Sequence, residues 1–165
     1  MEVGSDSVQF PTVSGFNLNR QEFEFPRDIR GEVNLLFVPS LQPQQFIVNT
    51  WMPFANELEA VFPELAYYEL PTIAALPALS RTFINEGMRA GIPNAKARER
   101  TITLYVNTAR FMRALNIPTK NDVHVLLIDH QGGIVRRTTG SFDEAKGSEL
   151  ATAIETYRKR AEVSP

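Results

Sequence analysis

Two histidines, His124 and His130, and no cysteine are what this sequence offers for nucleophilic, metal or redox chemistry. Without a thiol there is no disulfide, no thiolate nucleophile, no Cys-ligated zinc or iron–sulfur cluster, and no dithiol exchange. Two imidazoles do not make a His-rich or dinuclear centre, so no metal and no cofactor is expected, and no residue is assigned a catalytic role. His124 alternates with Leu126 and Ile128, which leaves two readings: a core or strand-end histidine, or a general base. Asp129 and His130 are neighbours where turn residues are common, and side chains at i and i+1 of a strand end diverge, which opposes a dyad. Gly132-Gly133 lacks the spacing of a phosphate-cradling loop.

Uncharged polar groups gather at one place. Ser40, Gln42, Gln44 and Gln45 precede the best helical pattern in the chain. Their amides either meet a partner's backbone or are ordinary polar residues at a helix start. Trp51 lies on the following apolar stripe and reads as core or as an interface anchor. The charge is uneven along the chain. Between Gly31 and Ser80 there is no Lys or Arg, while Glu32, Glu57, Glu59, Glu64 and Glu69 are acidic. From Arg81 to Lys120 the balance inverts, with Arg81, Arg89, Lys96, Arg98, Arg100, Arg110, Arg113 and Lys120 against Glu86 and Glu99. A basic rim that includes Arg89, Lys96, Arg98 and Arg100 suits an acidic partner or anionic head groups; the alternative is a solvated face neutralised across the fold.

The elements that must position these groups follow from periodicity. The chain has 165 residues, 43% of them hydrophobic, with a net charge of −2. That length fits one domain able to bury roughly 70% of its unfolded surface, here placed at 9–160, with a loose arm at 1–8 and a tail at 161–165. The charge gives no global case for nucleic acid. No run approaches the roughly 20 apolar residues of a membrane span, although peripheral contact through the basic segment stays open. The acidic start Met1 to Asp6 is no signal peptide. The expectation is a soluble protein, cytoplasmic by default.

Short apolar entries from Gln9 to Ile29 predict a hairpin, and Glu32–Val38 a strand buried on both faces. Ile47, Trp51, Phe54, Leu58 and Val61 form one helical stripe, kinked at Pro53 and ended by Pro63. A strand over Leu65–Leu70 follows. A helix over Pro77–Arg89 then buries Leu79, Phe83, Ile84 and Met88 and closes at Gly91 and Pro93, before a polar loop over Asn94–Arg100. Next come a strand at Thr101–Val106, a short helix capped by Asn107 or Thr108, a doubly buried strand at Val123–Asp129 and an antiparallel return at Ile134–Thr139. A last helix from Asp143 buries Leu150, Ala153, Ile154 and Tyr157. This order implies an α/β fold with a central mixed sheet and helices on both faces.

Phe10-Pro11 through Phe16-Asn17-Leu18, Asp28 through Leu36, Leu127 through Val135 and Gly140-Ser141-Phe142 together resemble the thioredoxin-like superfamily, in its peroxiredoxin and thiol-disulfide reductase branch. The resemblance covers about residues 9–157 and implies a thioredoxin-like fold with an N-terminal hairpin extension. It places the branch's reactive cysteines between the first core strand and first helix. Counting from Pro53 puts those positions at Gln45 and Val48; aligning on the strand points nearer Gln42. Asn121 to His124 stand where a peroxidase-type arginine would precede the late strand. The resemblance therefore implies the fold without its thiol chemistry: a non-catalytic protein acting through protein binding. The alternative is an enzyme or small-molecule sensor with relocated, non-thiol chemistry near residues 40–48 and His124. More narrowly, Phe37-Val38 with Ser40, Gln42, Gln45, Trp51, Pro53 and Phe54 resembles the mitochondrial ATP synthase assembly factors. That implies a chaperone for membrane-sector subunits, organellar (mitochondrion or plastid) if a leader is removed.

Overall fold

Near-continuous apolar runs become central strands, because only a strand covered on both faces accommodates them. The computed structural model describes residues 8–74, 78–92 and 94–163. β1 (Val13–Asn17) and β2 (Glu22–Phe25) form the lead-in hairpin, and β3 (Val33–Val38) follows. A 3-10 turn over Gln42–Gln44 leads into α1 (Gln45–Asn49) and α2 (Met52–Val61). Next are β4 (Leu65–Glu69), β5 (Thr72–Ala74), α3 (Ala78–Gly91), α4 (Ala95–Arg100) and β6 (Ile102–Val106). α5 (Thr108–Ala114), β7 (His124–Asp129), β8 (Ile134–Thr139) and α6 (Glu144–Val163) complete the order.

The strands form two four-stranded sheets, ordered β2-β1-β6-β5 and β4-β3-β7-β8. β3 pairs parallel with β4 and antiparallel with β7. The sheets share a seam. Glu69 bridges to Thr101 with the same offset that pairs Thr72 with Leu104 between β5 and β6. Leu70 and Pro71 therefore interrupt one extended segment whose first half serves β3 and whose second half serves β6. The break suits proline, which has no N–H for a ladder, while its carbonyl still accepts from Leu104 N at 2.9 Å.

Alternation then divides the core in two. One face of the sheet carries Leu36, Val38, Leu126 and Ile128 against Phe111 of α5, its C-cap Leu115, Phe10 and the hairpin rings Phe23 and Phe25. The other carries Leu35, Phe37, Val125 and Leu127 against Val48, Trp51, Ala55 and Leu58 of the α1–α2 segment and Leu150 and Ile154 of α6. At roughly 1.5–3 kcal/mol for each large apolar side chain buried, these two layers hold the strand ends that frame the site.

Several expectations are corrected. The single kinked helix is two helices; Pro53 stands in the first turn of α2, where its missing N–H leaves no bond unmade. The break shifts the phase, so Ala55 turns inward while Val61 is 61% exposed. Phe83, expected on the buried side of its helix, is 81% exposed. The expected loop at Asn94–Arg100 is α4, with Asn94 as its N-cap accepting from Ala97 N. Gly91 ends α3 from inside it, and β5 was not anticipated. α6 runs through Val163, into the expected tail. The arm's residues 1–7, Pro77, Pro93 and 164–165 lie outside the described residues. Other expectations hold: Asn107 Oδ1 accepts from Arg110 N to cap α5, and Gly132 turns the β7–β8 hairpin at φ +93°.

Candidate functional site

Period two on β4 builds the floor of the site. Leu65, Tyr67 and Glu69 point to one face; the first two pack in the α1–α2 core layer, and Glu69 lies at the strand end beyond that layer. On β6, Thr103 and Tyr105 face the same side and meet α3. Thr103 Oγ1 lies 3.8 Å from Met88 Sδ, and the Tyr105 hydroxyl donates to Asn85 Oδ1 at 3.0 Å. α1 and α2 thus stand over β3 and β4, α3 stands over β6, and a groove of about 1370 Å³ opens between them. Leu41, Met52, Ile73, Phe83, Ile84, Met88 and Ile92 make it apolar along much of its length.

A polar cluster interrupts that lining. Glu69 is only 9% exposed, and its Oε1 accepts from Gln45 Nε2 at 3.0 Å. The same nitrogen donates to Asn49 Oδ1 at 3.0 Å. Burial holds the Glu69 carboxyl above its ordinary pKa; the Gln45 hydrogen bond and the Arg100 charge oppose this without cancelling it. Arg100 is itself engaged twice. Its two terminal nitrogens reach the Glu59 carboxylate at 3.1 and 3.2 Å, and its guanidinium lies 3.9 Å from the Tyr67 ring centroid. The Tyr67 hydroxyl donates to Asn56 Oδ1 at 2.7 Å, and burial raises its pKa. Arg100 is ion-paired with Glu59, whereas Glu69 has the Arg100 charge nearby but takes its hydrogen bond from a neutral amide.

The structure brings Ser40, Gln45, Lys96 and Arg100 together along this groove. Gln44 turns the other way. It is 5% exposed; its Oε1 accepts from Ser40 N and Leu41 N at 2.8 and 3.2 Å, and its Nε2 donates to the Lys120 carbonyl. Trp51 is buried against Phe37 and Phe142, and its Nε1 donates to the Gly140 carbonyl at 2.9 Å. Both residues hold the frame rather than the lining. Gln42 contributes its backbone to the 3-10 turn, and its side chain lies outside the described residues. Arg89 and Arg98, on α3 and α4, are not part of the lining. Of the two positions inferred for thiols, Gln45 faces the groove and Val48 is fully buried.

His124 pairs with Val38 and Thr139 inside the sheet and does not line the groove. Burial and the neighbouring Arg137 charge push its pKa down. Asp129 Oδ1 accepts from Gln131 N and Gly133 N, each at 2.9 Å, closing the hairpin. Among the described residues no group of three or more His, Asp or Glu could hold a metal ion. Glu69, Glu59, Tyr67, Asn49 and Asn56 were not singled out as site residues from the sequence. A signal for Glu69 was present all the same: an acid in phase with Leu65 and Tyr67 must point to the side they bury.

No family model matches this chain, and no curated protein matches it. Solved structures do. The thioredoxin domain of a thiol-disulfide oxidoreductase from Bacteroides vulgatus superposes with a TM-score of 0.56 at 12% identity, over 92% of this chain and 96% of that one. A thiol:disulfide interchange protein from Bacteroides sp. gives 0.55 at 14% identity, over 92% and 88%. BsSco, a member of the Sco family of cytochrome c oxidase assembly proteins, gives 0.56 at 12%, over 89% and 94%. The fold is thioredoxin-like. At such identities the likeness is one of architecture. The first two neighbours are named for thiol chemistry, and this chain carries no thiol with which to perform it. No helix among the described residues is long and apolar enough to cross a membrane.

Proposed function

We propose that this chain is a non-catalytic thioredoxin-like protein that works by binding another protein in the groove beside Ser40 and Gln45. The observation that carries the reading is an open, largely apolar groove at the place where the resemblance puts the thiols, lined by amides and one buried acid instead. Its volume of about 1370 Å³ exceeds the roughly 300–1,000 Å³ of ordinary small-molecule pockets, which favours a polypeptide segment. Exposed Phe83 and Leu41 on its walls have the character of interface anchors. The narrower reading, an assembly factor or chaperone for ATP synthase membrane-sector subunits, rests on the residues from Phe37 to Phe54 alone; the structural neighbours above add nothing to it. Relocated chemistry at His124 draws no support from a ring that lies off the groove.

The test is site-specific photo-crosslinking in native cells. A benzophenone side chain replaces Phe83 on the groove wall or, as control, Val61, which is exposed but off the groove. A discrete adduct at position 83 that is missing at position 61 supports the reading, and mass spectrometry of that adduct tests the membrane-sector proposal. Equal labelling at both positions, or none at either, removes it.

A further inference from the structure

Glu69 stands out among the charged groups of the groove. Of the others that line it, Glu59 and Arg100 neutralise each other, and Lys96 is exposed at the rim. Tyr67 is held as a phenol, donating to Asn56. Glu69 alone is a buried acid without a counter-charge of its own, since Gln45 gives it one hydrogen of a neutral amide and gives the other to Asn49. A carboxylate so placed carries a desolvation cost that an opposite charge in contact would offset. The walls on either side of it, Met52 and Ile73 near the floor and Ile84 and Met88 across the gap, are apolar.

Resting on the reading of this groove as a protein-binding site, we infer that its occupant is an apolar polypeptide segment carrying a single cationic side chain, lysine or arginine, whose charged group pairs with Glu69. The pairing supplies register. Apolar contacts along an open groove allow a segment to slide, whereas one buried charge pair fixes which residue sits over the floor and rejects segments with an acid there. Complementarity of sign supports this choice of occupant. The floor and the α1–α2 wall come from the part of the chain that contains no Lys or Arg, and the basic residue that does reach the floor, Arg100, is already bound to Glu59. Burial keeps a proton on Glu69 more readily than on an exposed glutamate, so docking of the cation also expels a proton wherever that carboxyl is still protonated.

The experiment uses the full chain and three capped nonapeptides of alanine and leucine, differing only at the central residue: lysine, norleucine or glutamate. Affinities are measured by isothermal titration calorimetry near neutral pH. The expected order is lysine over norleucine by at least about tenfold, with glutamate weakest. In Glu69→Gln the lysine preference collapses, whereas in Glu57→Gln, which removes an exposed acid off the groove, it persists. Repeating the lysine titration at mildly acidic pH in buffers of different ionisation enthalpy reads the released proton. Equal affinity for lysine and norleucine overturns the inference while leaving a peptide-binding groove in place, as does a lysine preference that survives Glu69→Gln. Failure of all three peptides to bind overturns the inference together with the reading beneath it.

Discussion

Gln44 and Gln45, neighbours in the chain, have separate roles that their shared chemistry conceals. Gln44 is turned inward and serves as a staple between the end of β3 and the loop before β7, accepting from two backbone N–H groups and donating to a distant carbonyl. Gln45, one residue on, reaches Glu69 in the groove. The 3-10 turn over Gln42–Gln44 sets this division, because it rotates successive residues by more than an α-helix does. Sequence reasoning brought these residues to the right place in the fold but had no means of separating them, since turn type leaves no hydrophobic period to read. Gln44→Ala leaves the part-buried N–H groups of Ser40 and Leu41 and the Lys120 carbonyl without their partner, and the expected loss is about 0.5–1.5 kcal/mol in urea unfolding. Gln44→Glu keeps the acceptor and loses only the donor, so it should fall between alanine and the native residue. If alanine unfolds at the native midpoint, Gln44 holds nothing.

Among the elements, α3 differs from its neighbours in how it is tied down. α2 and α6 pack into a core layer through residues that are essentially fully buried. Among the described residues the ties of α3 are mostly polar and near the surface: Arg20 to Glu86 at 2.7 Å, Tyr105 to Asn85, and Arg81 near the Tyr105 ring. Its side toward the groove is only partly covered, so the amphipathic pattern that located this helix correctly also placed Phe83 wrongly in the interior. An apolar stripe reports which side seeks burial; it does not report whether another element of the same chain provides it. Glycine gives a test at this scale. Gly87 lies within α3 with nothing within 4 Å of an added Cβ, so Gly87→Ala should stabilise the helix by about 0.5–1 kcal/mol, read as slower amide exchange across Ala78–Gly91. The same substitution at Gly15 puts a Cβ 2.4 Å from the Thr103 carbonyl oxygen. It forces β1 from β6 and should lower the unfolding free energy by roughly 1–3 kcal/mol. A destabilising Gly87→Ala would mean that the groove side of α3 is more tightly filled than its geometry indicates.

For the molecule as a whole, the strand–helix alternation and the two doubly buried strands were legible because burial on both faces leaves a run of apolar residues. The seam was not, because the break at Leu70-Pro71 reads as the end of a strand, and only three-dimensional register shows β5 continuing beside β6. Two buried titratable groups lie close to this frame, and they give the fold opposing dependences on pH. The Glu69 carboxyl is held above its ordinary value of 4.5 by burial, opposed by Gln45 and Arg100. As pH rises from about 4.5 the unfolded chain ionises first, so this group's contribution is complete below that value and is lost as pH climbs through the folded pKa. The His124 ring is held below its ordinary 6.5 by burial and by Arg137, against a smaller pull from Asp122. Here the unfolded chain protonates first, so the contribution is complete above about 6.5 and is lost as pH falls through the folded pKa. Glu69→Gln should therefore be more stable than the native chain at about pH 7, with the advantage fading toward pH 4. His124→Gln should flatten the decline below pH 6.5 without altering the alkaline side. Urea unfolding at pH intervals from 4 to 8 measures both profiles. A Glu69→Gln curve running parallel to the native one would mean that its carboxyl already ionises in the fold as it does in water, which removes the linkage and with it the expected release of a proton on docking.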